Sequence, residues 1–423
     1  MPGFLIVWLI ALGIIALVWL SRHLEISRAR RHQRLLCPHS YQGFPQEVPP
    51  ISVLVAAKDE EENIESCVVS FCEQDYPDFE VVVTDDRSTD RTPEILRRLQ
   101  SRYDGKLRVV TVKRLRQGWF GKNNAMREAV AVATGRWLCF ADADCRQTSQ
   151  RTLSMAMSEA LTQGTDFLSV LPVLETRSFW ERIIQPVCAA VMIFWYHPDR
   201  VNDPKSRAAY ANGAFMLLKR EVYEALGGHE RVRTEVNEDM HLARLAKGVG
   251  YRLQVIQNQG LYVTRMYSTL GQCWQGWSRI FYGCLVTLRR LLLAAAVLST
   301  FSILPWVSLI ASIVGLMVTG PEASAGWRVL AVGSAATILL QQSVILRFYR
   351  LVRASPWSSL GYILGACLCW GMLVNAMFKV RGTMQTTWRG TTYRGNRVEP
   401  APEKTPLEPS ADPAAEEFGL HAP

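Results

Sequence analysis

The 423-residue sequence has no Gly-x4-Gly-Lys-Ser/Thr, and no Gly-x-Gly-x-x-Gly follows its first short β-rich run. The first absence excludes a P-loop, and the second argues against a dinucleotide-dependent oxidoreductase. Ten cysteines form no Cys-x-x-Cys and no paired zinc spacing, which leaves reduced thiols in a cytosol-facing protein. No basic stretch precedes the first apolar run and no small-residue cleavage site follows it, so a cleaved signal peptide is disfavoured. The formal charge of +9 is not spread as a nucleic-acid surface. Arginines gather beside apolar runs instead: Arg22, Arg28, Arg30, Arg31 and Arg34 after the first, Arg289 and Arg290 before the second, and Arg347, Arg350 and Arg353 after the third. That placement fits anionic lipid headgroups and cytoplasmic flanks.

What is present is apolar at both ends. Residues 4–20 read as an uncleaved anchor (1–22) with its N-terminus outside, which puts the following residues in the cytoplasm. A basic, proline-rich linker (23–50) leads into one domain (51–267). An interfacial amphipathic helix (268–290) carries Trp274, Trp277, Phe281 and Tyr282. The region 291–378 holds three apolar candidates: Leu291–Val318 with Pro305 near its middle, Val329–Ile345 and Leu360–Met377. If each crosses once, the basic segment 379–398 ends outside, against the positive-inside rule. The conflict is removed if one candidate is re-entrant, or if the first run doubles back at Pro305. Residues 399–423, rich in Pro, Ala and Glu, read as disordered.

Between these ends, strand and helix signals alternate. Strands are expected at 51–57, 79–84, 107–112, 137–140, 166–174, 210–219 and 251–256, with helices at 61–74, 92–103, 122–133, 150–163 and 238–247. Residues 179–196 read as a helix on the membrane surface or lining a lipid-facing groove, with a plain core helix as the alternative. The order βαβα implies α/β architecture, a mostly parallel sheet with helices on both faces.

Carboxylates mark the ends of these strands, where open α/β sheets bind ligands. Asp59 and Glu60 follow the first. Asp85 and Asp86 end the second, where a carboxylate can accept hydrogen bonds from a base or ribose. Asp142 and Asp144 end the fourth, two acids at i and i+2 that can share a hard cation with a diphosphate. Glu238 and Asp239 open a helix, whose N-terminus is expected to keep Asp239 ionised as a general base. Lys122 precedes a helix and can reach a phosphate held at its start.

The ordered set Val55-Ala56-Ala57-Lys58-Asp59-Glu60-Glu61, Thr84-Asp85-Asp86-Arg87-Ser88-Thr89-Asp90, Trp119-Phe120-Gly121-Lys122, Ala141-Asp142-Ala143-Asp144 and Glu238-Asp239 resembles family 2 glycosyltransferases. It is most similar to the membrane-anchored bacterial branch with hopanoid-associated and diaponeurosporenoate glycosyltransferases, and distantly to ceramide glucosyltransferase. Thr387-Trp388-Arg389-Gly390-x-x-Tyr393 resembles a further motif of that branch. The resemblance implies a GT-A fold and inversion at the anomeric carbon. It implies Asp86 at the nucleobase, Asp59 and Glu60 near the nucleotide, Lys122 by the diphosphate, Asp144 and Asp142 at Mg²⁺ or Mn²⁺, and Asp239 with Glu238 as the catalytic pair. Processive members carry Gln-x-x-Arg-Trp. Here the region reads Trp274-Gln275-Gly276-Trp277-Ser278-Arg279, a departure that argues against Trp277 and Arg279 as diphosphate contacts.

The expected activity is transfer of a sugar from a nucleotide-sugar, a UDP-sugar first, to a lipid of polyprenoid, hopanoid, carotenoid or sphingolipid kind. The expected place is the cell (inner) membrane, multi-pass, with the catalytic domain cytoplasmic and no nucleic-acid partner. The alternatives are a processive polysaccharide synthase and a non-catalytic membrane scaffold.

Overall fold

A computed structural model describes residues 2–32, 35–40, 43, 48–320, 324–382, 386–388, 391–394 and 397–398. Arg34 and Pro45 of the linker, Arg389-Gly390 of the C-terminal motif and the tail 399–423 lie outside the described residues.

After helix α1 (Gly3–His32), eight strands form the main sheet: β1 (Leu35–Leu36), β2 (Ile51–Ala57), β3 (Phe79–Asp86), β4 (Leu107–Val112), β5 (Trp137–Asp142), β6 (Phe167–Leu171), β7 (Met216–Lys219) and β8 (Leu253–Asn258). Their order is β1-β8-β6-β7-β5-β2-β3-β4. β7 runs antiparallel to β5 and β6, and the other pairs are parallel. Successive side chains point to opposite faces. Val53, Val55, Val81 and Val83 pack with α2 (Ile64–Cys72), α3 (Thr92–Arg102) and, farther along, α5 (Thr152–Gln163). Leu54, Val82, Leu138 and Phe140 pack with α4 (Gly121–Val132) and α7 (Glu238–Val249). Both faces are thus covered, as continuous apolar strands require.

Two strands are shorter than the sequence predicts. The expected strand 166–174 breaks at Pro172, which has no N–H for the ladder. Val173–Leu174 pairs instead with Tyr262–Thr264 in a small second sheet. The expected strand 210–219 begins only at Met216. Before it, Asn212 donates its N–H to Ser169 Oγ (2.9 Å) and Gly213 donates to Asp239 Oδ2 (2.9 Å), so the backbone serves side chains rather than a ladder.

Beyond the sheet, α6 (Phe179–Trp195) buries Ile183, Ile184, Val187 and Cys188 and exposes Phe179 and Phe194. The segment expected as one helix over 268–290 is α8 (Leu270–Leu285), a turn at Val286 with φ 59°, and the start of α9 (Leu288–Leu298). The chain does not double back at Pro305. A π-helical turn, Ser299–Ile303, joins α9 to α10 (Leu304–Val318). Pro305 has no N–H to give the Phe301 carbonyl four residues earlier. That carbonyl accepts from Trp19 Nε1 (2.8 Å) and Gln341 Nε2 (3.2 Å) instead, so the freed group is satisfied at membrane depth.

Among the described residues four helices are long and apolar enough to cross a membrane: Gly3–Arg31, Leu288–Val318, Ser324–Leu351 (α11) and Pro356–Val380, which contains α12 (Tyr362–Val380). α1 lies along α11, with Arg347 donating to Ser27 Oγ at 2.6 Å. α12 packs on α6 and α8. A Cβ on Gly365 would strike the Ile183 carbonyl and come within 3.0 Å of Val187 Cγ2, and one on Gly371 would come within 2.6 Å of the Trp274 ring. These glycines let α12 sit directly on the domain's own helices. Gly365→Val is expected to cost about 1–3 kcal/mol through overpacking and to lower the melting temperature in detergent. Gly248→Ala, at an open position, should leave it unchanged or slightly higher.

Candidate active site

Strand register brings the acids together. Ala56 stands opposite Thr84 on β3 and Asp142 on β5, so the carboxyl ends of three parallel strands are level. A cavity of about 920 Å³ opens there, lined by Glu60, Asp86, Lys122, Asp142, Asp144, Glu238 and Asp239. The predicted acids of four separate segments therefore share one space. Asp85 and Asp59 are the exceptions, outside the lining: Asp85 Oδ1 accepts from the Ser88 N–H (3.2 Å), and Asp59 Oδ1 accepts from the Thr89 N–H (2.7 Å) and hydroxyl (3.2 Å), lashing the β2 loop to the β3 loop. Asp59 and Arg87 both adopt left-handed backbone, φ 52° and 59°, a conformation costing on the order of 1 kcal/mol or more for a non-glycine residue. The lashing holds both turns at the cavity's edge.

Lys122, in the first turn of α4, is the electrostatic centre. Its Nζ lies 2.6 Å from Asp142 Oδ1 and 2.6 Å from Glu238 Oε1. Burial works against its charge, but Asp142, Glu238 and Asp239 together hold its pKa well above the ordinary lysine value. It thus arrives at the site already engaged, rather than reaching freely for a phosphate. Gly213 marks the point of convergence. A Cβ there would stand 3.1 Å from Lys122 Nζ, 3.5 Å from Asp239 Oδ2 and 3.6 Å from Asp142 Oδ2.

Asp239 receives hydrogen bonds from the N–H groups of Gly213 (2.9 Å) and Met240 (2.7 Å). The helix start was expected to keep it fully ionised. Burial, with Glu238 alongside, outweighs those bonds and Lys122, and pushes its pKa up to about 7. Asp144 is likewise pushed up to about 7, by burial first and then by Asp142 and Glu60, although Thr264 Oγ1 donates to its Oδ1 at 3.0 Å. Asp86 is 3% exposed and clamped by Arg87, Nε to Oδ1 at 2.9 Å and Nη2 to Oδ2 at 2.9 Å. Gly121 admits it: a Cβ there would fall 2.7 Å from Asp86 Oδ2.

Among the described residues no cluster of three or more His, Cys, Asp or Glu forms a ready metal cage. Asp142 and Asp144 nonetheless suit Mg²⁺ or Mn²⁺, which commonly take one or two carboxylates and complete the shell with water and substrate phosphate. Burial is the main cause of the rise at Asp144, and the carboxylates of Asp142 and Glu60 add to it; a divalent cation would offset that added negative charge.

The cavity continues past the acids along α6, α8 and α12, with Tyr210, Tyr267, Trp274, Arg279 and Lys379 in its wall. Arg279, argued against from its spacing, lines the cavity, and the ring of Trp277 lies buried at its wall. Sequence reasoning missed Gly213, Tyr267 and Lys379. The Asn212-Gly213 dipeptide, a turn signal inside an apolar run, could have flagged the first. A lone lysine at the end of an apolar run gave no signal for the last.

Residues 52–227 match the model of the glycosyl transferase family 2. A β-monoglucosyldiacylglycerol synthase of a Nostoc species is 33% identical over 195 residues, 45% of this chain and 40% of that protein. A 4,4'-diaponeurosporenoate glycosyltransferase of Staphylococcus haemolyticus is 23% identical over 231 residues, 54% of this chain and 60% of that protein. The chain thus spans 40% of the length of the first relative and 60% of the second. A mannosyltransferase of Pyrobaculum calidifontis, solved with GDP-Man and Mn²⁺, is 23% identical, covers 86% of this chain and 97% of that one, and superposes with a TM-score of 0.49.

A carboxyl held near 7 in the fold but near 3.9 when unfolded keeps its proton only in the folded state between those values. Stability is therefore lost as pH rises through that window. Asp144→Asn is expected to melt a few degrees higher than the wild type at pH 8, on the order of 1 kcal/mol after solvent screening at the cavity wall. The gain should vanish by pH 4; equal melting at both pH values would contradict the assignment of strain to Asp144.

Proposed function

We propose that this chain, whose residues 52–227 match the model of the glycosyl transferase family 2, transfers a sugar from a nucleotide-sugar to a group on a lipid, with inversion. One observation carries the reading: Asp142, Asp239 and Lys122 converge on Gly213 in a cavity that Asp86 and Asp144 also line. Relatives named for glucosyldiacylglycerol synthesis and for diaponeurosporenoate glycosylation support a lipid acceptor. The four apolar helices support a site at a membrane, and we take its face to be the cytoplasmic face of the inner membrane.

The steps follow from the placement of groups. Asp86, clamped by Arg87, accepts a hydrogen bond from the nucleobase of the donor, with a UDP-sugar the first to test. Glu60 stands at the nucleotide side, and Asp59 holds the loop that carries it. Asp142 and Asp144 would hold Mg²⁺ or Mn²⁺, which when bound offsets charge on the departing diphosphate. Asp239 takes the proton of the acceptor hydroxyl. The acceptor oxygen then bonds to the anomeric carbon as the bond from that carbon to the diphosphate oxygen breaks, and the electron pair leaves with the nucleoside diphosphate. A single displacement inverts that carbon. Glu238 acts through Lys122, which it anchors, and through its effect on the pKa of Asp239. The aromatic walls of α6 and α8 hold the lipid beside this point.

Asp239→Asn, assayed in membranes with labelled nucleotide-sugars and total lipid extract, is expected to lower kcat by roughly 10²–10⁴-fold with little change in donor KM. The base must be ionised, so kcat/KM of the wild type should fall below pH about 7 and level off above it. Unchanged glycolipid formation by the variant would remove Asp239 as the base.

A further inference from the structure

The last apolar helix has the composition of a membrane span but the surroundings of a domain helix. Val352 and Ala354, just before it, line the same cavity as Asp142 and Asp239, and so do Asn375 and Lys379 at its end. Arg350 and Arg353, at the close of α11, border a second hollow with Gln257, Asn258 and Gln259 from the end of β8. Between those ends, Gly361 and Gly365 meet Ile183 of α6, and Gly371 meets Trp274 of α8. Nineteen helical residues extend about 28 Å. A crossing helix would spend that length carrying its end away from the domain; this one begins and ends against it.

Its end delivers a cation. Lys379 and Arg279 are half-buried in the cavity wall and near enough for their charges to act on one another. Tyr267, which lines the same cavity, feels the charges of both Arg279 and Asp144. Among the described residues no carboxylate forms an ion pair with Lys379. Two like charges brought together in a partly dry wall are stabilised by an anion, and the anion this cavity meets is a phosphate oxyanion.

We infer that Pro356–Val380 does not cross the membrane but roofs the cavity from the domain's side, and that Lys379, beside Arg279, is a further substrate-binding residue for a phosphate oxyanion. The inference rests on the reading of the protein as a nucleotide-sugar transferase. The oxyanion belongs either to the donor's diphosphate or to a phosphate on the acceptor lipid. With the last helix on the domain's side, three helices cross, and Lys379 lies on the same face as the domain. The basic run that conflicted with the positive-inside rule then begins on the expected side.

The test uses the full chain in nanodiscs and in sealed vesicles. Binding of UDP and GDP with Mn²⁺ is measured for the wild type, Lys379→Ala and Lys379→Arg, alongside transfer to neutral and phosphate-bearing lipids. Loss of roughly 10–100-fold in nucleotide affinity in Lys379→Ala, partly restored in Lys379→Arg, assigns the oxyanion to the donor. Unchanged nucleotide affinity with a raised KM for phosphate-bearing lipids alone assigns it to the acceptor. Wild-type-like behaviour of Lys379→Ala in both arms overturns the inference while leaving the transferase reading intact. Failure of the wild type to bind either nucleotide overturns both. In vesicles and a Cys37→Ser, Cys367→Ser background, Arg381→Cys should react with an impermeant maleimide on the same side as Asp104→Cys in the domain; labelling from opposite sides overturns the re-entrant helix.

Discussion

Lys122 stands among Asp142, Glu238 and Asp239, and one positive charge cannot neutralise three negative ones. Asp144 and Glu60 add to the excess. Two of these acids, Asp144 and Asp239, respond by holding protons up to about pH 7, because ionising them in a half-buried wall costs more than the local hydrogen bonds return. The cavity is thus short of positive charge and carries carboxylates near neutrality. Such a place suits a cation arriving with an anionic substrate, and it suits a base that can both accept and release a proton at physiological pH. Glycines make the crowding possible: at Gly213 and Gly121 a methyl group would occupy the space the carboxylates and the lysine need.

The membrane helices join the site rather than merely anchor it. Met240, next to Asp239, belongs to the same apolar cluster as α6, α8, α9 and α12. The residue proposed to take the acceptor proton is therefore fixed from one side by the sheet and from the other by helices that face lipid. On the proposed reading, the cavity wall that α6, α8 and α12 supply is the surface along which a lipid acceptor would approach Asp239.

Much of this was legible in the sequence for a simple reason. Buried parallel strands are continuous apolar runs, and Ile51–Ala57 ends where that pattern ends. Acids at the ends of such runs converge because parallel strands share an edge, so Asp86 and Asp142 needed only the order of elements to be placed. The remainder depended on contacts between distant segments. Gly213 diverts an apolar run to serve Asp239; the Asn212-Gly213 pair signals a turn there, but not the carboxylate far along the chain that the turn serves. The π-turn before Pro305 is sustained by Trp19 and Gln341, so whether the chain bends or continues is decided by partners far away in sequence. The helix N-terminus is a local effect that favours an ionised Asp239, while burial, the largest cause of its raised pKa, is set by tertiary packing. Composition records the apolarity of α12 but not its neighbours, and Ile183 of α6 and Trp274 of α8 meet it at Gly365 and Gly371.

On the proposed reading these acids form one cation-dependent site for a nucleoside diphosphate. The most direct test of this is a Mn²⁺ titration of the purified full chain, following the free-ion spin-resonance signal with and without UDP or GDP. The account predicts weak Mn²⁺ binding alone, binding at least tenfold tighter when one nucleoside diphosphate is present, and loss of that linkage in Asp144→Asn. Mn²⁺ binding unaffected by either nucleotide, or linkage that survives in Asp144→Asn, would contradict it.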